Sequence, residues 1–129
     1  MTSDSAPTGQ PRILVVDDEP TLLRAMERML RRHASVAVAD SAEKALEMLG
    51  ESPAFDVVFC DVMMPGMTGI EFHWEVRRRH GAFADRIVFL TGGTFGGNSL
   101  GGIANVCLEK PVSFAEIEAQ IRRFVPLVS

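Results

Sequence analysis
From Arg12 onward, short apolar runs alternate with stretches whose apolar residues recur at helical spacing. Ile13-Leu14-Val15-Val16 is apolar without interruption, as in a strand covered on both faces. Pro20 suits a first helical turn, and Leu22, Leu23, Met26, Met29 and Leu30 then fall on one helical face. Residues 35–39 (Ser-Val-Ala-Val-Ala) predict a second strand, and Ser41 an N-cap for a helix through Leu49, ended by Gly50 and Pro53. Residues 55–60 predict a third strand, 69–80 a third helix, 86–90 a fourth strand and 105–108 a fifth. Ser113 caps a last helix in which Phe114, Ile117, Ile121, Phe124 and Val125 share a face.

Strand alternating with helix in this way implies a parallel sheet covered on both faces. Right-handed crossovers reduce the choice to a doubly wound α/β fold of five strands, with no internal repeat and no second domain. Residues 12–129 are expected to form that domain. Residues 1–11, polar and carrying Pro and Gly, lack the apolar stretch of a signal peptide and read as a flexible leader or linker.

Doubly wound sheets carry their sites at the carboxyl ends of the strands, beside the point where strand order reverses. Here strand one runs into Asp17-Asp18-Glu19, strand three into Asp61, strand four into Thr91, and strand five into Glu109-Lys110-Pro111. Asp40, after strand two, is less informative. Carboxylates gathered at one edge repel unless a cation is supplied. A hard divalent ion fits, and Mg²⁺ is commonly held by one or two carboxylates with phosphate oxygens and water. Thr91 can donate to an anionic oxygen, and Lys110 adds a point charge with three donors. A carboxylate nucleophile, a metal, a hydroxyl and a lysine are the parts of a site for phosphoryl transfer to an aspartate. Taken singly each has a plainer reading, since an Asp after a strand is usually a turn or cap residue. Their joint occurrence at four strand ends carries the argument.

Composition narrows the setting. A chain of 129 residues supports one domain and no attached effector, so the output is expected in a partner or a severed neighbour. The formal charge of −4 argues against direct nucleic-acid binding, which needs a basic face. No apolar run approaches the roughly 18 residues that span a bilayer. Cys60 and Cys107 are too few for a disulfide framework or a zinc site and lie in apolar runs, where a buried thiol acts as a small hydrophobe. A reducing, cytoplasmic setting is expected. Arg31-Arg32-His33 and Arg77-Arg78-Arg79-His80 each close a predicted helix, where cations meet the negative end of its dipole. His33, His73 and His80 show no metal spacing, and Phe72 and Trp74 are expected to pack or lie half exposed.

Four segments together resemble the receiver domains of two-component response regulators, over roughly residues 12–126. They are Ile13-Leu14-Val15-Val16-Asp17-Asp18-Glu19, Asp56-Val57-Val58-Phe59-Cys60-Asp61-Val62-Met63-Met64-Pro65-Gly66-Met67-Thr68-Gly69, Leu90-Thr91-Gly92 and Glu109-Lys110-Pro111. The resemblance implies a flavodoxin-like sheet of order 2-1-3-4-5. It implies that Asp61 accepts a phosphoryl group from a histidine kinase or histidine phosphotransfer domain. It also implies that Asp17, Asp18, Asp61 and the backbone carbonyl of Met63 bind Mg²⁺, and that Thr91 and Lys110 engage the phosphoryl oxygens. Pro111 is expected to follow a cis peptide bond. Such a domain is a phosphoacceptor rather than an enzyme, although it can catalyse its own phosphorylation and dephosphorylation. Phosphorylation would alter the surface around strands four and five and the last helix, and so control a partner or neighbouring domain. Glu109 before Lys110, with the leader, suits an origin in a hybrid histidine kinase. In the implied order Cys60 and Cys107 lie on non-adjacent strands, roughly 9–10 Å apart and beyond disulfide reach.

Two features depart from the family pattern. The family usually places Tyr or Phe three residues before the lysine; here that position is Cys107, and the chain has no tyrosine at all. After Thr91, Gly92, Gly93, Gly96, Gly97, Gly101 and Gly102 occupy the region where the family has its fourth helix. Each Gly disfavours helix by about 1 kcal/mol relative to Ala, so at most a short turn near residues 98–104 is expected, and signalling through loop order rather than through a swinging ring. Two other functions share parts of this chemistry. A pseudo-receiver would use the fold only for protein docking. A haloacid-dehalogenase-type phosphatase also uses Asp, Thr, Lys and Mg²⁺, but here Glu19 and Pro20 replace its second Asp and following Gly.

Overall fold
β1 (Arg12–Val16), β3 (Val57–Asp61) and β4 (Ile87–Thr91) owe their place to uninterrupted apolar sequence, which leaves no face for solvent. In the computed structural model, which describes residues 10–51, 54–92 and 102–125, they form the centre of a parallel sheet of order β2-β1-β3-β4-β5. β2 (Ser35–Ala39) and β5 (Cys107–Glu109) are the edges. Side chains alternate across the sheet and sort the core in two. Ile13, Val15, Val57, Phe59, Val88 and Leu90 pack beneath α1 (Pro20–Leu30) and α4 (Phe114–Phe124). Leu14, Val16, Val58, Cys60, Ile87 and Phe89 pack beneath α2 (Ala42–Glu51) and α3 (Gly69–His80).

The fold is the doubly wound one that the alternation predicts, and its strand order is the one the resemblance implies. Several boundaries move. Gly50 does not end α2, which continues to Glu51. β3 and β4 begin later than predicted and take Asp61 and Thr91 into the strands themselves. Arg86 belongs instead to a 3₁₀ segment, Gly81–Arg86, that fills the turn before β4. β5 also begins later, because the Asn105 side chain donates to the carbonyls of Ala84 and Ile87 and holds that stretch across the end of the 3₁₀ segment. Pro11 at the end of the predicted leader already accepts a hydrogen bond from the Ser35 N–H.

Cys60 and Cys107 are free and both register opposite Phe89, on either side of β4. Cys60 is buried; Cys107 is only half-buried because it sits on an edge strand, a correction to the expectation of two buried thiols. The arginines at the end of α3 are tied by ion pairs, Arg77 to Asp85 and both Arg78 and Arg79 to Glu75. Among the described residues no helix lies between β4 and β5. The predicted turn near 98–104 and the glycine-rich stretch fall largely in 93–101, outside the described residues. No described helix is long and apolar enough to cross a membrane.

Candidate functional site
Strand order reverses between β1 and β3, where Val16 registers with Cys60. The next residue on each strand is an aspartate, so register alone sets Asp17 beside Asp61. On the other side of β3, Asp61 registers with Leu90, and Thr91 registers with Glu109. Lys110 follows Glu109 and its backbone N–H donates to the Thr91 carbonyl at 2.7 Å. Parallel strands cut to matching lengths thus deliver Asp17, Asp61, Thr91 and Lys110 to one edge.

One carboxylate oxygen from each of Asp17, Asp18 and Asp61 lies within 4.8 Å of the other two, with Asp17 and Asp61 buried and Asp18 exposed. Glu19, the third acidic residue of that run, stands outside the group and serves as the N-cap residue of α1. The Lys110 Nζ donates to Asp17 Oδ2 at 2.9 Å and lies 3.5 Å from Asp61 Oδ2. Asp17 Oδ1 accepts from the Glu19 N–H and Asp61 Oδ1 from the Met63 N–H. Thr91 is buried, the Met63 side chain is exposed, and the Lys110-Pro111 peptide is cis.

Burial, and secondly the charge of Asp17, raises the Asp61 carboxyl above its ordinary value; Lys110 and the Met63 N–H only partly oppose this. Burial would lower the Lys110 ammonium, but its hydrogen bond to Asp17 and the charges of Asp61 and Asp17 raise it instead. Burial likewise pushes the Cys60 thiol up, which keeps it protonated as it donates to the Asp61 carbonyl. Three carboxylates against one ammonium leave a formal charge of −2 in a largely buried edge. Clustered hard oxygens with that excess fit a divalent cation such as Mg²⁺.

One close approach escaped sequence reasoning. A Cβ at Gly69 would overlap the Asp61 carbonyl oxygen and lie 3.0 Å from the Val62 Cα. Only glycine therefore lets the N-terminus of α3 seat against the end of β3, where the Gly69 N–H donates to the Val62 carbonyl. The local signal at this junction is Thr68-Gly69-Ile70-Glu71, whose Thr68 and Glu71 form a complete capping box.

The response regulator receiver domain profile matches residues 13–122 of the chain. The chain belongs to that family. Receiver domains are signalling domains of two-component systems rather than enzymes in the ordinary sense. Among relatives, the transcriptional activator protein PfeR of Pseudomonas aeruginosa is 33% identical over 121 residues, covering 85% of this chain and 36% of its own. A receiver domain protein from Clostridium thermocellum superposes with a TM-score of 0.79 at 26% identity, covering 89% of this chain and 94% of that one. The response regulator TrrA of Thermotoga maritima, solved in complex with Mg²⁺-BeF, gives a TM-score of 0.76 at 27% identity over 89% of this chain and 99% of its own. The chain spans less than half the length of the curated relatives it matches.

Proposed function
We propose that this receiver domain is a working phosphoacceptor in which Asp61 takes a phosphoryl group from the phosphohistidine of a histidine kinase or histidine phosphotransfer domain. The observation that carries the reading is the gathering of Asp17, Asp18 and Asp61 around Lys110 at the carboxyl edge of the sheet. An oxygen of Asp61 attacks phosphorus while the P–N bond of the phosphohistidine breaks, and the departing imidazole nitrogen keeps the electron pair. Asp17, Asp18, Asp61 and the Met63 carbonyl would hold Mg²⁺, which supplies charge neutralisation at the phosphoryl oxygens. Lys110 leaves its two carboxylates for the new anion, and the Thr91 hydroxyl donates to it.

The phosphoryl group adds about 1.5–2 negative charges in place of one carboxylate. Thr91 ends β4 and Lys110 directly follows β5 in the turn into α4, so their adjustment reaches the surface around those elements. The half-buried Cys107 offers no ring to swing, so the signal travels by shifts of these elements and not by an aromatic rotamer at that position. The output is a partner or a neighbouring domain, and the setting is cytoplasmic.

Incubating the chain with acetyl phosphate and Mg²⁺ and weighing it intact tests the reading. One phosphoryl adduct per chain is expected, abolished by Asp61→Asn and by EDTA. No adduct would leave a docking module, and sustained hydrolysis of phosphate monoesters would mean a phosphatase; either result overturns the proposal.

A further inference from the structure
The sheet ends on one side at β2, whose hydrogen-bond phase is set by its neighbour. The Ser35 N–H donates to the Pro11 carbonyl and the Ala39 carbonyl accepts from Asp17, so Ser35, Ala37 and Ala39 aim their backbone groups at β1. By alternation, the N–H and C=O of Val36 and Val38 point away from the sheet. Edge strands usually carry a charge, a proline or a bulge that discourages pairing. Ser-Val-Ala-Val-Ala carries no charge or proline and pairs with β1 at all five positions without a bulge.

Val36 and Val38 are only partly buried, and the space beside this edge is a groove walled by α1 and α2. The groove, of about 250 Å³, runs beside the second half of β2, lined by Leu23, Arg24, Glu27, Val38, Asp40 and Lys44. Charge differs between the two ends. Exposed Arg31 and Arg32 precede the strand, whereas exposed Asp40 and Glu43 follow it, with Glu27 in the groove outweighing Arg24 and Lys44 only together with them. Neither Arg32 nor Asp40 makes an ion pair among the described residues.

We propose that β2 pairs antiparallel with β2 of a second copy of this chain about a two-fold axis at Ala37. Val36 of each copy then exchanges both backbone hydrogen bonds with Val38 of the other, and the two sheets become one. The basic end of each strand meets the acidic end of its mate, a self-complementary arrangement that a parallel pairing would forfeit. The Asp17–Asp61 sites stay open, at opposite ends of the joined sheet.

Sedimentation over a concentration series, run with amide hydrogen exchange, tests the pairing. A salt-sensitive dimer is expected, with exchange at Val36 and Val38 slowing as concentration rises while Ala37, already bonded to β1, is slow throughout. Asp40→Arg sets like charges together twice per dimer and should weaken association roughly tenfold. Adding Arg32→Asp should restore it, and since both residues are exposed the melting temperature of the monomer, read at concentrations below the dimer Kd, should stay constant as a check on folding. A monomer at every concentration, a dimer that leaves Val36 and Val38 unprotected, or a double variant without rescue would each overturn the proposal.

Discussion
Lys110 stands between two carboxylates and balances only one of them, and that shortfall governs the site at the scale of single residues. Asp61 is held above its ordinary pKa, so its ionised form at neutral pH is a cost to the folded state. The cost is absent below the unfolded value and present once pH has risen through the folded one. Asp61→Asn removes the charge and keeps the shape, so in EDTA at pH 7 it should stabilise the fold by about 1 kcal/mol, read as a rise in melting temperature. Adding Mg²⁺ should then raise the wild-type melting temperature, by about 2.7 kcal/mol of stability at a hundredfold excess over Kd, and move the variant far less. A variant no more stable than wild type in EDTA would mean that Asp61 is not under charge strain. These residues were legible because each follows an apolar run, and a parallel sheet brings such ends together. Gly69 was not, because its constraint is a contact through space with the Asp61 carbonyl.

At the scale of elements, α3 is fixed at its start by two devices that can be separated. Thr68 and Glu71 close a capping box, with the Thr68 N–H donating to Glu71 and the Glu71 N–H to Thr68. Removing it with Thr68→Ala should cost about 1 kcal/mol and leave the acidic site in place. Gly69→Ala instead drives a methyl into the end of β3 and should cost about 1–3 kcal/mol, because backbone rather than a flexible side chain must yield. Since that backbone belongs to Asp61, only Gly69→Ala should also blunt the thermal response to Mg²⁺. Equal Mg²⁺ responses in the two variants would show that the helix seat and the acidic site are uncoupled. Helix and strand identities were readable from periodicity, whereas the 3₁₀ segment Gly81–Arg86 was not. Its geometry depends on Asn105, distant in sequence, whose amide bonds the Ala84 and Ile87 carbonyls.

For the whole molecule, the buried histidine under α3 and the acidic edge of the sheet answer acid in opposite directions. His73 lies under α3 against Phe89 and Trp74, buried, with neither ring nitrogen in a hydrogen bond of normal geometry. Burial, then Arg77, lowers its pKa, and Asp85 and the nearby Asn105 side chain oppose this only in part. Below the unfolded histidine value of about 6.5 the unfolded chain takes up a proton that the folded chain refuses, so stability falls as pH falls. The loss levels off once the folded value is passed. Asp61 works the other way: between its raised folded value and the ordinary carboxyl value the native state gains the proton first and recovers stability as pH falls. Glu75, held at about 2 by Arg78 and then Arg79, contributes stability above its ordinary 4.5 that is lost as pH falls toward 2. Thermal melts in EDTA should therefore show a decline setting in as pH falls through about 6.5 that His73→Leu flattens. Asp61→Asn should instead remove the opposing recovery that protonation of Asp61 brings. The sequence placed His73 on α3 but not beneath it, because three neighbouring residues, Phe72, His73 and Trp74, cannot all face one way and only packing against Phe89 decides which is exposed. A decline unchanged in His73→Leu would assign the acid sensitivity to another group and remove the buried imidazole from the account.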